Sequence, residues 1–290
     1  MKKLKFGIPK GSLQQATINL FEKSGWKINV NHRSYFPDIN DATIQCNICR
    51  AQEMPRYVEN GTLDSGLTGK DWIEENEANV VVVDDLIYSK TSQKPARWIL
   101  AVAADSNLKH LEDLQGKKIA TELVNYTRRY FQERNIDVEI EFSWGATEAK
   151  VASGLVDAIV EVTETESTLR AHGLKIIHEF MQSNTQLIAN REAYKDTWKK
   201  NKIEQIILLL KGALRAENLV GLKMNLPVKK IETVMDILPS LNAPTVAGLY
   251  NSNWVSVETV VAVETVRDLI PQLIQAGAEG IIEYPLNKVI

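Results

Sequence analysis

Short apolar runs alternate with stretches of helical periodicity along the first two thirds of the chain. Runs at 4–8, 63–67, 80–83, 99–103 and 118–121 read as strands, and the segments 13–24, 71–76 and 125–134 carry apolar residues at helical spacing. The series continues with a strand at 138–142, a helix at 148–153 closed by Gly154, a strand at 158–162, a helix at 165–172 closed by Gly173, and a strand at 175–180. Such alternation predicts βαβ units around a mostly parallel sheet, an α/β fold.

From Arg191 to Glu217 the pattern turns helical, with Ile203, Ile206, Ile207, Leu210 and Leu214 at spacings of three and four. After Gly221 the order changes to strand, helix, strand, strand, helix, strand (222–226, 228–238, 245–249, 254–261, 263–276, 280–284). That βαββαβ order is the ferredoxin-like split pattern and predicts a separate domain. The segment Leu111-Glu-Asp-Leu-Gln-Gly-Lys-Lys-Ile119 looks like the opening of the second lobe in periplasmic-binding-protein folds, which hold ligand between two lobes. The expected organisation is lobe I from 1–95 and 178–205, lobe II from 96–177, a linking helix at 206–220 and a regulatory domain at 221–290.

Composition adds exclusions. With 44% hydrophobic and 24% charged residues, the chain of 290 residues is expected to fold throughout, as two or three domains. Its net charge of −3 supplies no field for nucleic acid. No segment approaches the roughly 18 uninterrupted apolar residues of a membrane span. The opening MKKLKFGIPKGSL reads as a first strand rather than a secretion signal. Two cysteines fit a reducing compartment, so the cytoplasm is the expected location.

The strongest candidate for chemistry is Asp157-Ala-Ile-Val-Glu-Val-Thr-Glu-Thr-Glu-Ser-Thr-Leu-Arg170, a buried strand running into a hydroxyl-rich turn and a helix. Free N–H groups at that turn, with Thr163, Thr165, Ser167 and Thr168 hydroxyls, favour a phosphate. Glu161 and Glu164 suit sugar hydroxyls, or Mg²⁺ through water. The same run also reads as plain helix capping. Lys10, Arg50 and Lys70 each fall near the carboxyl end of a predicted strand, where open α/β sheets bind ligands. Other patterns are structural. Cys46-Asn-Ile-Cys49 has no second pair, and the nearest histidine in sequence is His32. Gly66-Leu-Thr-Gly-Lys-Asp71 lacks the serine or threonine of a P-loop. Val80-Val-Val-Val-Asp-Asp85, paired acids after an apolar strand, resembles the phosphoribosyl-pyrophosphate motif of one large phosphoribosyltransferase fold. Tyr88 and Lys90 fill the turn where that motif needs small residues.

Four ordered blocks then carry a resemblance. These are Gly7-Ile-Pro-Lys-Gly-Ser-Leu13, Arg50-Ala-Gln-Glu-Met-Pro55, Asp64-Ser-Gly-Leu-Thr-Gly-Lys-Asp-Trp72 and Gly277-Ala-Glu-Gly-Ile-Ile-Glu-Tyr-Pro285. Together with the 157–170 segment they resemble the long, feedback-regulated form of the ATP phosphoribosyltransferase family over the whole chain. The resemblance implies phosphoribosyl transfer to N1 of ATP, the first step of L-histidine biosynthesis, with Mg²⁺. It implies that Glu161, Thr163, Glu164, Thr165, Glu166, Ser167 and Thr168 bind phosphoribosyl pyrophosphate, and that Lys10, Gly11, Ser12 and Arg50 bind ATP. Lys10, Arg50 or Lys70 would assist the departing pyrophosphate. No metal is expected to be fixed by the protein alone. The resemblance further implies a hexamer inhibited by L-histidine, bound between subunits near Asn225, Leu241, Thr245 and Gly280. Three departures stand out. Glu161 replaces a usual Asp, Glu166 replaces a frequent Gly, and Ser12 stands where many members carry Arg. The rival readings are a non-catalytic two-lobed binding protein and a ligand-sensing regulator.

Overall fold

The computed structural model describes residues 2–30, 35–88, 96–241 and 243–290. Two compact units result, Met1–Glu22 with Trp26–Ile207, and Lys23–Gly25 with Leu208–Ile290. The first unit holds two five-stranded sheets, one for each lobe of a periplasmic-binding-protein-like fold.

Lobe I opens with β1 (Leu4–Lys10), α1 (Gln14–Ser24), a small ribbon of β2 (Ile28–Asn29) and β3 (Asp38–Ile39), and β4 (Ile44–Arg50). It continues with α2 (Met54–Glu59), β5 (Ser65–Gly69), α3 (Lys70–Asn76) and β6 (Val81–Leu86). Leu4, Phe6 and Ile8 alternate into the core of β1, all fully buried. Gly7 pairs with Gly66 across β1 and β5. A Cβ at either would stand 2.2 or 2.5 Å from Met54 Sδ. The absent side chains let α2 settle on the sheet and draw the loop 50–53 to its carboxyl edge. Asp84 and Asp85 lie inside β6, not beyond it. Lys90 lies outside the described residues.

Lobe II comprises β7 (Ala96–Ala103), β8 (Lys118–Thr121), α4 (Val124–Gln132), β9 (Glu139–Phe142), α5 (Thr147–Ala152), β10 (Ala158–Thr163), α6 (Ser167–Ala171) and β11 (Leu174–Ser183). Strand order is β11-β7-β10-β8-β9. The chain then returns to lobe I as β12 (Thr185–Ala189), giving the order β4-β1-β5-β12-β6. Because β7 is antiparallel to both its neighbours, and β12 likewise, each sheet is mixed rather than mostly parallel. These are the strands on which the chain crosses between lobes. Residues 178–183, expected in lobe I, continue β11 beside β7, so the return comes only after Ser183. Leu187 and Ile188 of β12 are fully buried, each contributing about 1.5 to 3 kcal/mol through removal from water.

The helical stretch after 190 is two helices, α7 (Arg191–Lys195) and α8 (Thr197–Ala216), in place of a linking helix at 206–220. Asp196 divides them with extended backbone, and its carboxylate accepts the Trp198 and Lys199 N–H groups at 3.0 and 3.1 Å.

In the second unit, β13 (Leu219–Pro227), α9 (Ile231–Met235), β14 (Thr245–Gly248), β15 (Trp254–Ala262), α10 (Val263–Ala276) and β16 (Glu279–Pro285) form an antiparallel sheet of order β14-β15-β13-β16. This is the ferredoxin-like arrangement. Leu222, Met224 and Leu226 alternate into a core with Val234, Val257, Val266 and Leu273 of the neighbouring strand and the two helices. Among the described residues, α9 and α10 both pack on this face and leave the opposite one free of them.

Candidate active site

The carboxyl ends of β1, β4 and β5 meet the carboxyl ends of β8 and β10 around a cleft of about 380 Å³. Lobe I contributes Lys10, Gly11, Ser12, Arg50, Ala51 and Gln52, and lobe II contributes Glu122, Glu161, Val162 and Glu164. Strand polarity alone places these residues there, since ligands of open α/β sheets bind beyond that edge. The loop after β4 is fixed by three bonds. Thr68 Oγ1 donates to the Ala51 carbonyl at 2.7 Å, Asn76 Nδ2 donates to the Gln52 carbonyl at 3.1 Å, and Glu53 N–H donates to the Arg50 carbonyl at 3.0 Å. Lys10 Nζ donates to Tyr35 Oη at 3.2 Å and lies 4.6 Å from that ring's centre.

Lys70 departs from expectation. It is exposed as the first residue of α3 and does not line the cleft, whereas its neighbours Gly69 and Asp71 do. The helix begins at residue 70, so that side chain leaves the strand edge while the next turns inward. Asp71 is buried at the cleft floor, where its carboxylate accepts Trp98 Nε1–H at 2.7 Å and Trp72 N–H at 2.9 Å. Burial raises its pKa above the usual carboxylate range. Trp98 belongs to crossover strand β7, so this bond ties α3 of lobe I to lobe II. A second tie lies beside it. Glu75 accepts the Asn125 and Tyr126 N–H groups at 3.0 and 2.9 Å, capping α4 from across the cleft.

The predicted phosphate turn leaves β10 at Thr163. Glu161, Val162 and Glu164 face the cleft, while Thr163, Thr165, Ser167 and Thr168 shape the turn beyond its lining. Thr163 Oγ1 accepts the Glu166 N–H at 2.9 Å, and the Thr165 and Ser167 hydroxyls lie 3.0 Å apart. Helix α6 is a five-residue turn, so its macrodipole adds little beyond its own N–H groups. Glu166 keeps the left-handed backbone a glycine would take, at φ 60°. Its carboxylate meets Arg97 at 2.5 Å, and Arg97 also reaches Glu179 at 3.3 Å.

Burial pushes Glu161 up to about 7. The Val162 N–H and the Thr147 hydroxyl oppose that shift, and the charges of Glu148 and Glu122 add to it. Glu122 is raised as well, again by burial, though Gln52 and Arg50 favour its charge. The site therefore sets cations on lobe I against carboxyl groups on lobe II that are reluctant to ionise until a cationic or hydroxyl-bearing ligand arrives.

Several of these residues escape a reading of the sequence. Asp71 enters only as the residue that spoils a P-loop and, without a role, within a block of the resemblance, and Glu122, Trp98 and Arg97 do not enter at all. An acid one residue past a strand, as in Lys-Ile-Ala-Thr-Glu122, is the signal that was there to use. The cysteines are unremarkable thiols, both free and both pushed up to about 12, mainly by burial. Among the described residues no cluster of three or more His, Cys, Asp or Glu side chains could hold a metal ion, and no helix is long and apolar enough to cross a membrane. In the second unit, Asn225 and Thr245 share the helix-free face of the sheet, to judge from their register through Ser256 and Glu258 of β15. Gly280 sits beside Asn225, whose Nδ2 would be 3.7 Å from a Cβ placed there, and Leu241 is partly exposed ahead of β14.

Two opposed α/β lobes around a polar cleft, followed by a ferredoxin-like domain, define a class of enzyme with an appended module. The family model HisG, ATP phosphoribosyltransferase, matches residues 50–212, and the model HisG, C-terminal domain, matches 216–288. The chain belongs to the ATP phosphoribosyltransferase family. It is 71% identical over 287 residues to an ATP phosphoribosyltransferase of Desulfatibacillum aliphaticivorans, covering 99% of this chain and 98% of that one. A second, from Desulfosudis oleivorans, is 70% identical over 99% of both chains. Among solved structures, an ATP phosphoribosyl transferase (HisG:HisZ) complex from Thermotoga maritima matches with a TM-score of 0.62 at 27% identity, covering 72% of this chain and 98% of that one. The two rival readings, a binding protein and a sensor without catalysis, are not favoured.

Proposed function

We propose that the chain transfers the phosphoribosyl group of phosphoribosyl pyrophosphate to N1 of ATP, releasing pyrophosphate, as the first step of L-histidine biosynthesis. The observation that carries this is the cleft itself, with Lys10 and Arg50 on one wall and Glu161 and Glu164 on the other, in a chain whose residues 50–212 and 216–288 match this family and whose similarity to its members covers 99% of its length. The neutral N1 lone pair forms the new bond to the anomeric carbon as the carbon–oxygen bond to pyrophosphate breaks, so no protein nucleophile is needed. Catalysis then rests on holding the substrates in line and on stabilising the departing charge. Lys10 and Arg50 are suited to the phosphate groups, and Glu161 to the ribose hydroxyls. Glu161 and Glu164, hard oxygen donors on the cleft wall, fit Mg²⁺ held through water. The ion would neutralise pyrophosphate as it leaves. A cytoplasmic location accords with this pathway and with soluble substrates.

Incubation with ATP, phosphoribosyl pyrophosphate and Mg²⁺ tests the reading by the appearance of a new ultraviolet-absorbing nucleotide; no product would end it. The turn at 163–168 takes the 5-phosphate in this account. Thr165→Val and Thr168→Val are each expected to raise the KM for phosphoribosyl pyrophosphate about tenfold, the loss of one hydrogen bond to a charged group, while the KM for ATP holds.

Regulation belongs to the second unit, since the candidate catalytic residues all lie before residue 190. We place L-histidine against the helix-free sheet face that bears Asn225 and Thr245, near Gly280 and Leu241, at a contact between subunits of a hexamer. Asn225 is uncharged, so its contact with the ligand's ammonium group is weaker than an acid's would be. Inhibition then reflects a preference of histidine for one assembly state, a coupling of about 1 to 3 kcal/mol. Thr245→Ala is expected to raise the half-inhibiting histidine concentration about fivefold or more, with uninhibited turnover retained. Equal sensitivity in that variant would remove Thr245 from the site.

A further inference from the structure

Beside the main cleft lies a second recess of about 380 Å³, lined in part by Phe142, Trp144, Arg56 and Asn125. Four residues, Arg50, Gln52, Trp72 and Glu122, line both spaces, so the recess adjoins the cleft. Two large aromatic side chains stand in it largely uncovered, Trp144 at 74% and Phe142 at 51% exposure. Their rings meet edge to face, 5.6 Å apart at 77°. The guanidinium of Arg50 lies 5.5 Å from the centre of the Trp144 ring.

The exposure is held in place by the backbone. After β9 the chain turns through Gly145 at φ 81° and Ala146 at φ 50°. A left-handed alanine costs about 1 to 2 kcal/mol, so the turn persists only because its surroundings fix it. Ser143 and Thr147 are buried on either side, with hydroxyls 3.0 Å apart. The Thr147 hydroxyl also favours the ionised form of the Glu161 carboxyl. The aromatic pair is thus referenced, through one threonine, to the carboxyl group assigned to the ribose.

We propose that Trp144, backed by Phe142, is the stacking platform for the purine ring of the nucleotide acceptor, with Arg50 passing from the indole face to the acceptor's phosphates when the nucleotide enters. The proposal rests on the reading of the cleft as a phosphoribosyl-transfer site and names the acceptor's share of it. A flat, electron-rich ring joined to a polyphosphate matches an exposed indole and a guanidinium placed one ring's width apart. Gln52 and Glu122, shared by both spaces, supply hydrogen-bonding groups for an amino-bearing ring edge. An aromatic pair facing such polar neighbours inside a concave wall is poorly shaped for a flat protein partner.

The test is steady-state kinetics on the full-length protein, with each substrate varied in turn. Trp144→Ala should raise the KM for ATP about tenfold, within the usual worth of one base stacked on one aromatic ring, and leave the KM for phosphoribosyl pyrophosphate near its original value. Trp144→Phe should recover most of that loss. Titration with ATP should quench the intrinsic fluorescence of the wild type, and the quench should shrink in Trp144→Phe although the other five of the six tryptophans remain. An unchanged KM for ATP in Trp144→Ala, or an equal rise for both substrates, overturns the platform. So does a variant whose sedimentation shows a changed assembly state and whose defect vanishes at high protein concentration, which would make Trp144 a subunit contact. Quenching by ATP in a wild type that forms no product would support the platform and overturn the transferase reading instead.

Discussion

Glu161→Gln should raise the KM for phosphoribosyl pyrophosphate by about ten- to a hundredfold, the worth of one or two hydrogen bonds to a charged acceptor, and should flatten the pH profile. The wild-type carboxyl is pushed up to about 7, chiefly by burial. Below that pH it is mostly protonated in the free protein and accepts poorly from ribose hydroxyls. The value of kcat/KM for phosphoribosyl pyrophosphate is therefore expected to climb by about tenfold from pH 6 to 8 and then level off. Stability runs the opposite way. A carboxyl whose folded pKa lies above its unfolded value holds a proton that the unfolded chain has lost between about pH 4.5 and 7, so its contribution declines as pH rises through that window. Thermal melting of Glu161→Gln should consequently fall less than the wild type's between pH 5 and 8. A kinetic profile in Glu161→Gln that still rises with a midpoint near pH 7 would assign the titration to another group, and Glu122 would be the next to replace.

Local pattern carried the reading as far as local physics decides structure. Leu4, Phe6 and Ile8 alternate, and β1 follows; Gly154 and Gly173 sit where the sequence predicts that helices stop, both at positive φ. The βαββαβ order after 221 was legible because its two long central strands, β13 and β15, each keep one buried face and α10 follows at helical spacing. The antiparallel setting of β7 and β12 was not, since strand direction is settled by which lobe the chain must reach next and leaves no mark on the strand's own residues. Lys70 shows a subtler limit. A shift of one residue in where β5 gives way to α3 decides whether Lys70 or Asp71 meets the cleft. Asp71 itself became a site residue through Trp98, Ser183 and the lobe boundary, partners 27 and 112 positions away in sequence. Trp144 stayed hidden for a similar reason, because an exposed tryptophan in a short loop is unremarkable until Arg50 and a shared recess stand beside it.

Arg97→Ala should weaken phosphoribosyl pyrophosphate by about ten- to thirtyfold, with little change in thermal stability. The small stability effect follows from exposure, since ion pairs open to solvent contribute at most about 1 kcal/mol. The large binding effect follows from what the pair does to the turn. Glu166 occupies a left-handed backbone that costs a residue with a side chain about 1 to 2 kcal/mol. Its carboxylate is drawn away by Arg97 at 2.5 Å, and the Thr163 hydroxyl holds its N–H at 2.9 Å. Without Arg97, Glu166 keeps only the exposed Arg170 at 4.0 Å and its acid faces the turn assigned to the 5-phosphate, where two negative charges about 4 Å apart repel by about 4 kcal/mol at an effective dielectric of 20 before the turn relaxes. Glu166→Gly removes both the strain and the charge, so it should tighten phosphoribosyl pyrophosphate relative to the wild type. The double variant discriminates. If Arg97 acts by neutralising Glu166, Arg97→Ala in the Glu166→Gly background should cost less than about twofold, a coupling that a double-mutant cycle reads directly. A full tenfold loss in that background would instead mean that Arg97 touches the substrate itself, and the departure from glycine at 166 would then be a substitution the turn merely tolerates.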